Sequence, residues 1–154
     1  MDNDPWKEEK IKVECKISKS IAEDYYSPNV QKILTKIIPD EPDFVPKYNS
    51  NSTCADLMAN ISDKELKLSG NQSAVVDCGC SMEIIQGYRV RVQTHPNWVN
   101  KGLFVSTSFI EGQGRIKIFV INILNELLKI SHKDKIAQIF IEPIYFFDWD
   151  YSKK

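Results

Sequence analysis

Charge of one sign, long apolar runs, cysteine and histidine are all scarce in this sequence. Lysine and arginine total 20 against 21 acidic residues, a formal net charge of -1, so no general attraction draws the chain to a nucleic acid or an acidic bilayer. The uncharged run from Ile118 to Asn125 falls far short of the ~20 apolar residues that span a membrane. The opening MDNDPWKEEK carries no apolar signal region, which points to a soluble, cytoplasmic protein. Four cysteines, Cys15, Cys54, Cys78 and Cys80, are too few and too scattered for a disulfide scaffold in 154 residues. Cys78 and Cys80 have no spaced histidine to complete a tetrahedral zinc site, since His95 and His132 stand elsewhere. Both thiols read as buried or half-buried strand residues.

What is present fits one globular domain over residues 1–154, with 42% hydrophobic and 27% charged residues. Within residues 10–17, Ile11-Lys-Val-Glu-Cys-Lys-Ile17 alternates apolar and charged side chains, the period of a strand with one buried face. Ser27-Pro28 reads as an N-cap with proline at the first helical position. Val30, Ile33, Leu34, Ile37 and Ile38 then recur at helical spacing until Pro39, predicting a helix over 28–38. The stretch PDEPDFVPKYNSNST is turn chemistry and reads as a long connection.

Beyond it come short strands: Ala55–Asn60, Glu65–Leu68, Ala74–Cys78, Met82–Ile85, Tyr88–Gln93, Gly102–Thr107, Ile116–Asn122, Glu126–Ile130 and Ile136–Ile144. Many short strands in succession predict a sandwich or jelly roll. Gly112-Gln113-Gly114 reads as a tight hairpin opened by Glu111. Ile116–Asn122 and Ile136–Ile144 carry apolar residues on both faces, which asks for a second layer or a neighbouring subunit. Tyr145, Phe146, Phe147, Trp149 and Tyr151 make residues 145–154 an aromatic tail, with two possible destinations: the chain's own core or a subunit contact.

The pieces Val45-Pro-Lys-Tyr48, Ala55-Asp-Leu57, Val75-Val-Asp-Cys-Gly79, Gln86-Gly-Tyr88, Lys101-Gly-Leu-Phe-Val105, Phe109-Ile-Glu111, Asn122 and Lys133-Asp-Lys-Ile-Ala-Gln138 occur in an order that resembles the trimeric dUTP diphosphatase (dUTPase) family. The resemblance covers about residues 44–144, the β-rich core. It implies an all-β jelly roll, a distorted barrel, assembled as a homotrimer with sites built from more than one chain. Residues 18–43, including the helix, then stand as an insertion between the first strand and the core. The family splits dUTP into dUMP and pyrophosphate with magnesium, and its motifs map onto this chain as follows.

Asp56 takes the place of an aspartate that helps hold magnesium through water, a role for a hard oxygen beside a hydrated cation. Thr94, His95 and Pro96 stand where the family has Arg-Ser-Gly at the phosphates; threonine lacks the bidentate charged fork and proline has no N–H to offer. Glu111 replaces the general-base aspartate, and the short glycine turn leaves no tyrosine to read the sugar. The extra methylene displaces the carboxylate by about 1 Å, an error that can cost ~10²-fold in rate. Gln138 is kept and is placed to bond a phosphate. The glycine-rich C-terminal lid is absent, as no glycine follows Gly114.

The resemblance therefore implies catalytic candidates Glu111 and Asp56, nucleotide-binding candidates Thr94, His95 and Gln138, and a magnesium site at Asp56. Two readings follow: an impaired homologue in nucleotide metabolism, holding a dUTP-like nucleotide or a host protein, or an active divergent dUTPase. The first is favoured, because the losses fall where chemistry needs particular groups. Such a pseudoenzyme would suit a virus or phage. A dCTP-deaminase reading is set aside for want of an acid in Ile116–Asn122.

Overall fold

The computed structural model describes residues 35–49, 52–106 and 109–149. The first predicted strand, at 10–17, lies outside them, as does the predicted helix up to residue 34. The eleven strands among the described residues are β1 Lys36–Pro39, β2 Lys47–Tyr48, β3 Ala55–Met58, β4 Glu65–Leu68, β5 Ser73–Glu83, β6 Tyr88–Thr94, β7 Leu103–Val105, β8 Phe109–Ile110, β9 Gln113–Asn122, β10 Leu128–Ser131 and β11 Lys135–Pro143. One short helix, α1 (Pro96–Val99), separates β6 from β7, and a 3-10 turn covers Pro42–Phe44. No described helix is long and apolar enough to cross a membrane.

Two sheets face each other across the core. One has the order β1-β5-β9-β7 and the other β2-β3-β11-β6-β8, while β4 and β10 form a separate ribbon. Alternation decides which side chains meet: Ile116, Ile118 and Val120 of β9 are buried, as are Val76, Cys78, Cys80 and Met82 of β5. Leu57, Val90, Val92, Ala137 and Ile139 meet them from the other sheet. The architecture is the expected jelly-roll-like β fold. Both Cys78 and Cys80 thiols are fully buried, and burial pushes the Cys80 thiol up to about 12.

Three expectations need correction. The end of the predicted helix over 28–38 is not helical, because Lys36–Pro39 forms β1, an antiparallel edge strand paired with β5 from Lys36↔Glu83 to Pro39↔Cys80. Ile37 and Ile38 are β-branched and suit a strand, and the open edge of β5 supplies the ladder that decides between the two. The two strands predicted over Ala74–Ile85 are one strand, β5, bulged between Asp77 and Ser81 with Gly79 at φ +70°. The Gly112–Gly114 stretch closes no hairpin: Gln113 and Gly114 already belong to β9 and pair with Glu83 and Met82 of β5, while β8 pairs with β6, so Glu111-Gly112 carries the chain from one sheet to the other.

The two double-faced strands meet different fates. β11 lies inside its sheet and buries Ile136, Ala137, Gln138 and Ile139. On β9 the outward Phe119 stays 42% exposed, beside exposed Val75 of β5. The aromatic tail does not dock on its own core, since Tyr145, Phe146, Phe147 and Trp149 are 78–91% exposed.

Candidate functional site

The β2-β3-β11-β6 order and its register align one row of polar residues across the sheet. Lys47 lies opposite Asp56, Asp56 opposite Gln138, and Gln138 opposite Gln93. Directly opposed residues point to the same face, so the row is a consequence of register alone. Asp56 is 3% exposed, and a carboxylate that deep must be compensated by donors.

The donors are present on both oxygens. Gln138 Nε2 donates to Asp56 Oδ1 at 3.0 Å, Asn49 Nδ2 donates to Oδ2 at 2.9 Å, and Lys135 Nζ lies 3.1 Å from Oδ2. Burial works to raise the Asp56 carboxyl, but the Gln138, Lys135 and Asn49 hydrogen bonds and the Lys135 charge outweigh it and hold it below its ordinary value. Gln93 Nε2 in turn faces Gln138 Oε1 at 3.4 Å, which fixes the orientation of the Gln138 amide.

His95 closes the cluster from the end of β6. Its Nδ1 accepts from Asn97 N at 3.2 Å and so caps α1, while Nε2 lies 3.5 Å from Asp56 Oδ1. An accepting Nδ1 puts the proton of the neutral ring on Nε2, facing Asp56. His95 is buried, as is Trp98 of α1, whose Nε1 donates to Lys135 O at 2.9 Å. Thr94 spends its hydroxyl as the acceptor for Val105 N at 2.9 Å, tying β6 to β7.

Of the candidates named from sequence, Asp56, Gln138, His95 and Thr94 thus sit around one end of the β3-β11-β6 ladder. Glu111 does not join them within the chain. It is exposed just past Ile110, which pairs with Val90. Gln93 lies three residues further along β6 than Val90, so Glu111 stands roughly 13 Å from the cluster at ~3.3 Å per residue. Asp134, beside Lys135, is a turn former whose Oδ2 accepts from Ser131 N at 2.7 Å.

Sequence reasoning missed Lys135 and Asn49 as partners of Asp56. Lys135 adjoins the recognisable Ile-Ala-Gln run, and its place at the head of β11 was a usable signal; Asn49 lies in the proline-rich connection, where no periodicity points to a contact. Among the described residues no group of three histidine, cysteine, aspartate or glutamate side chains could hold a metal ion. Asp56 alone, with both oxygens already engaged, does not fit a protein-held magnesium ion.

No family model matches the chain. The chain is 31% identical over 125 residues to the deoxyuridine 5'-triphosphate nucleotidohydrolase of Aquifex aeolicus, covering 75% of this chain and 82% of that protein. It is 28% identical over 123 residues to the enzyme of the same name from Bdellovibrio bacteriovorus, with the same coverages. Among solved structures, the dUTPase from phage phi11 of S. aureus superposes with a TM-score of 0.68 at 16% identity, over 79% of this chain and 97% of that chain. A Staphylococcus bacteriophage 80alpha dUTPase with dUPNHPP gives 0.68 at 17% identity, over 80% and 90%. The structural likenesses, at such low identity, bear on fold alone.

Proposed function

The chain belongs to the deoxyuridine 5'-triphosphate nucleotidohydrolase (dUTPase) family, and from that premise we propose that it is a catalytically impaired member acting as a nucleotide-binding or protein-interaction module. The observation that carries this reading is the state of Asp56. Its two oxygens are occupied by Gln138, Asn49 and Lys135 inside a buried cluster, so receiving a hydrated cation would cost contacts worth ~1.5–3 kcal/mol each. Magnesium would arrive with the triphosphate and keep most of its water.

The neighbouring candidates support the same reading. Thr94 and His95 commit their acceptor atoms to Val105 N and Asn97 N, and neither brings a permanent positive charge to the phosphates. Gln138 still borders the cluster and remains the residue proposed to meet a phosphate. In the proposed homotrimer a second copy would have to supply Glu111, because within one chain it stands far from Asp56. The phage 80alpha dUTPases are described as controlling transfer of virulence genes, a precedent for a control role on this fold.

A second reading, an active divergent dUTPase, draws on the retained Asp56 and Gln138 and on relatives named nucleotidohydrolases. One experiment separates the two. Purified chain is mixed with each deoxynucleoside triphosphate and Mg²⁺, and pyrophosphate release and thermal shift are followed together. The module reading expects no release above background, with a melting shift for a dUTP-like nucleotide or for an isolated partner protein. Turnover of dUTP that disappears in Glu111→Gln would establish the enzyme instead.

A further inference from the structure

The outer face of the β1-β5-β9-β7 sheet carries an apolar patch that the described residues leave exposed. Register puts Val75 of β5 opposite Phe119 of β9, and Ile121 of β9 opposite Phe104 of β7. Their strand neighbours Val76, Ile118, Val120, Leu103 and Val105 are buried in the core, so these four point outward. Val75 is 65% exposed, Phe104 46% and Phe119 42%. Two rings and two β-branched side chains lying together on a sheet face make the kind of contiguous apolar surface that a further element covers. The patch is on the opposite sheet from Asp56.

We propose that residues 21–34 of the same chain, which precede the described residues, cover this patch. They bring Ile21, Tyr25, Tyr26, Val30, Ile33 and Leu34. The last three recur at helical spacing, and an amphipathic helix is the layer that a sheet face accepts. Connectivity delivers the segment to the right place. Leu34 leads through Thr35 into β1, the edge strand of this same sheet. β1 runs from Lys36, opposite Glu83, to Pro39, opposite Cys80, and so toward Val75. A chain that crosses the outer face before entering β1 therefore runs from the patch to the Lys36 end. The inner side is already filled, since Ile37 of β1 packs against the core.

Reach is sufficient. Gln113 is level with Glu83, and Phe119 with Val75. The step from Gln113 to Phe119 is roughly 20 Å at ~3.3 Å per residue, and crossing from β1 to β9 adds roughly 10 Å sideways, a direct span of about 22 Å. A helix over 28–34 covers ~10 Å of it, and residues 21–27 add up to ~23 Å when extended. Tyr25 and Tyr26 thus arrive at Val75 and Phe119. Charge agrees with that placement. Glu23 and Asp24 come with the tyrosines, and Lys117 is the outward residue of β9 next before Phe119, its opposite number Asp77 being taken up by Arg115. The cover needs no nucleotide and stands whether or not the chain has activity.

The test is thiol protection in the full chain. Val75→Cys is introduced, and its reaction with a maleimide is timed by peptide mass mapping, which separates it from the native thiols. Lys129→Cys, exposed on the separate β4–β10 ribbon, sets the rate of an open thiol. The expected result is labelling at least about tenfold slower at position 75 than at position 129. That protection should be unchanged on dilution of the protein and lost when Tyr25→Asp, Tyr26→Asp and Ile33→Asp are added together. Circular dichroism checks that each variant folds, and Phe104→Cys reports on the same patch should Val75→Cys fail. Labelling as fast as at position 129 overturns the inference. So does protection that vanishes on dilution, which would put a second copy on the patch, or protection that survives the triple substitution, which would mean a different cover.

Discussion

Gln138 and Asp56 are register partners across the β3–β11 ladder, and the Gln138 amide donates from Nε2 to Asp56 Oδ1 at 3.0 Å. A neutral donor therefore faces a buried anion. Replacing that amide with an isosteric carboxylate puts two acids in one hydrogen-bond distance. Gln138→Glu should lose about 2 kcal/mol or more at pH 7, since two such groups cannot both ionise cheaply. The new pair has a raised folded pKa, so its deficit is largest above the unfolded glutamate value of about 4.3 and shrinks as pH falls toward it. Urea titrations at pH 4 and pH 7 read this directly. Equal losses at both pH values would mean that the defect is one of packing and not of charge.

Asn122 offers a harder test of what holds the loops. It is fully buried at the end of β9, and its Nδ2 donates to Leu68 O at 2.9 Å and Glu126 O at 2.7 Å, while Oδ1 accepts from Leu124 N at 3.1 Å. One side chain thus joins β4 to the β9–β10 connection. Asn122→Ala should cost ~2–4 kcal/mol, because it leaves a buried carbonyl without its donor and opens two further bonds. The midpoint of urea unfolding should fall with an unchanged slope. A loss under ~1 kcal/mol would show that the loops are fixed by packing alone.

Where sequence and structure agree, the reason is periodicity with one buried face. β4, β6 and β9 alternate or run apolar in the way their burial demands, and the Lys133–Gln138 run announces the turn and strand that hold Gln138 beside Asp56. Lys36–Pro39 was illegible because two consecutive isoleucines satisfy helical and extended patterns alike; only the edge of β5, distant in sequence, settles it. The glycine turn after Glu111 looked like a hairpin because local chemistry does not reveal that its two strands belong to different sheets. His95 gave no local sign of being a helix cap, since α1 is a single turn too short to show a period.

Acid should weaken this fold through two carboxylates held below their ordinary value. For Asp77, burial works upward, but the Arg115 guanidinium and the Gly79 N–H, 2.7 Å from Oδ1, prevail and lower it. Asp56 behaves likewise through Gln138, Lys135 and Asn49. A depressed folded pKa adds stability that is complete above the unfolded value of about 3.9 and is lost as pH falls through the lower folded value. Melting temperature should therefore hold between pH 7 and about 5 and drop below about 4. The drop should be shallower in Asp77→Asn. A flat profile down to pH 3 would sink this assignment.

The contact of Gly79 with Phe44 gives the sharpest steric prediction. Gly79 sits in the β5 bulge at φ +70°, and a Cβ there would collide with the Phe44 ring. The ring cannot step aside freely: it is buried, meets His132 edge-on at 5.7 Å, and has the Lys133 ammonium 5.7 Å from its centroid. Gly79→Ala should combine left-handed backbone strain of ~1–2 kcal/mol with overpacking of ~1–3 kcal/mol. Gly87 separates the two contributions, since it has φ +87° but nothing within 4 Å of its would-be Cβ. Gly87→Ala should therefore show only the backbone cost, leaving Gly79→Ala the more damaging by at least ~1 kcal/mol. Equal losses in the two variants, measured by urea unfolding, would mean that the 42–44 turn yields to let Phe44 move and that its packing over the bulge contributes little.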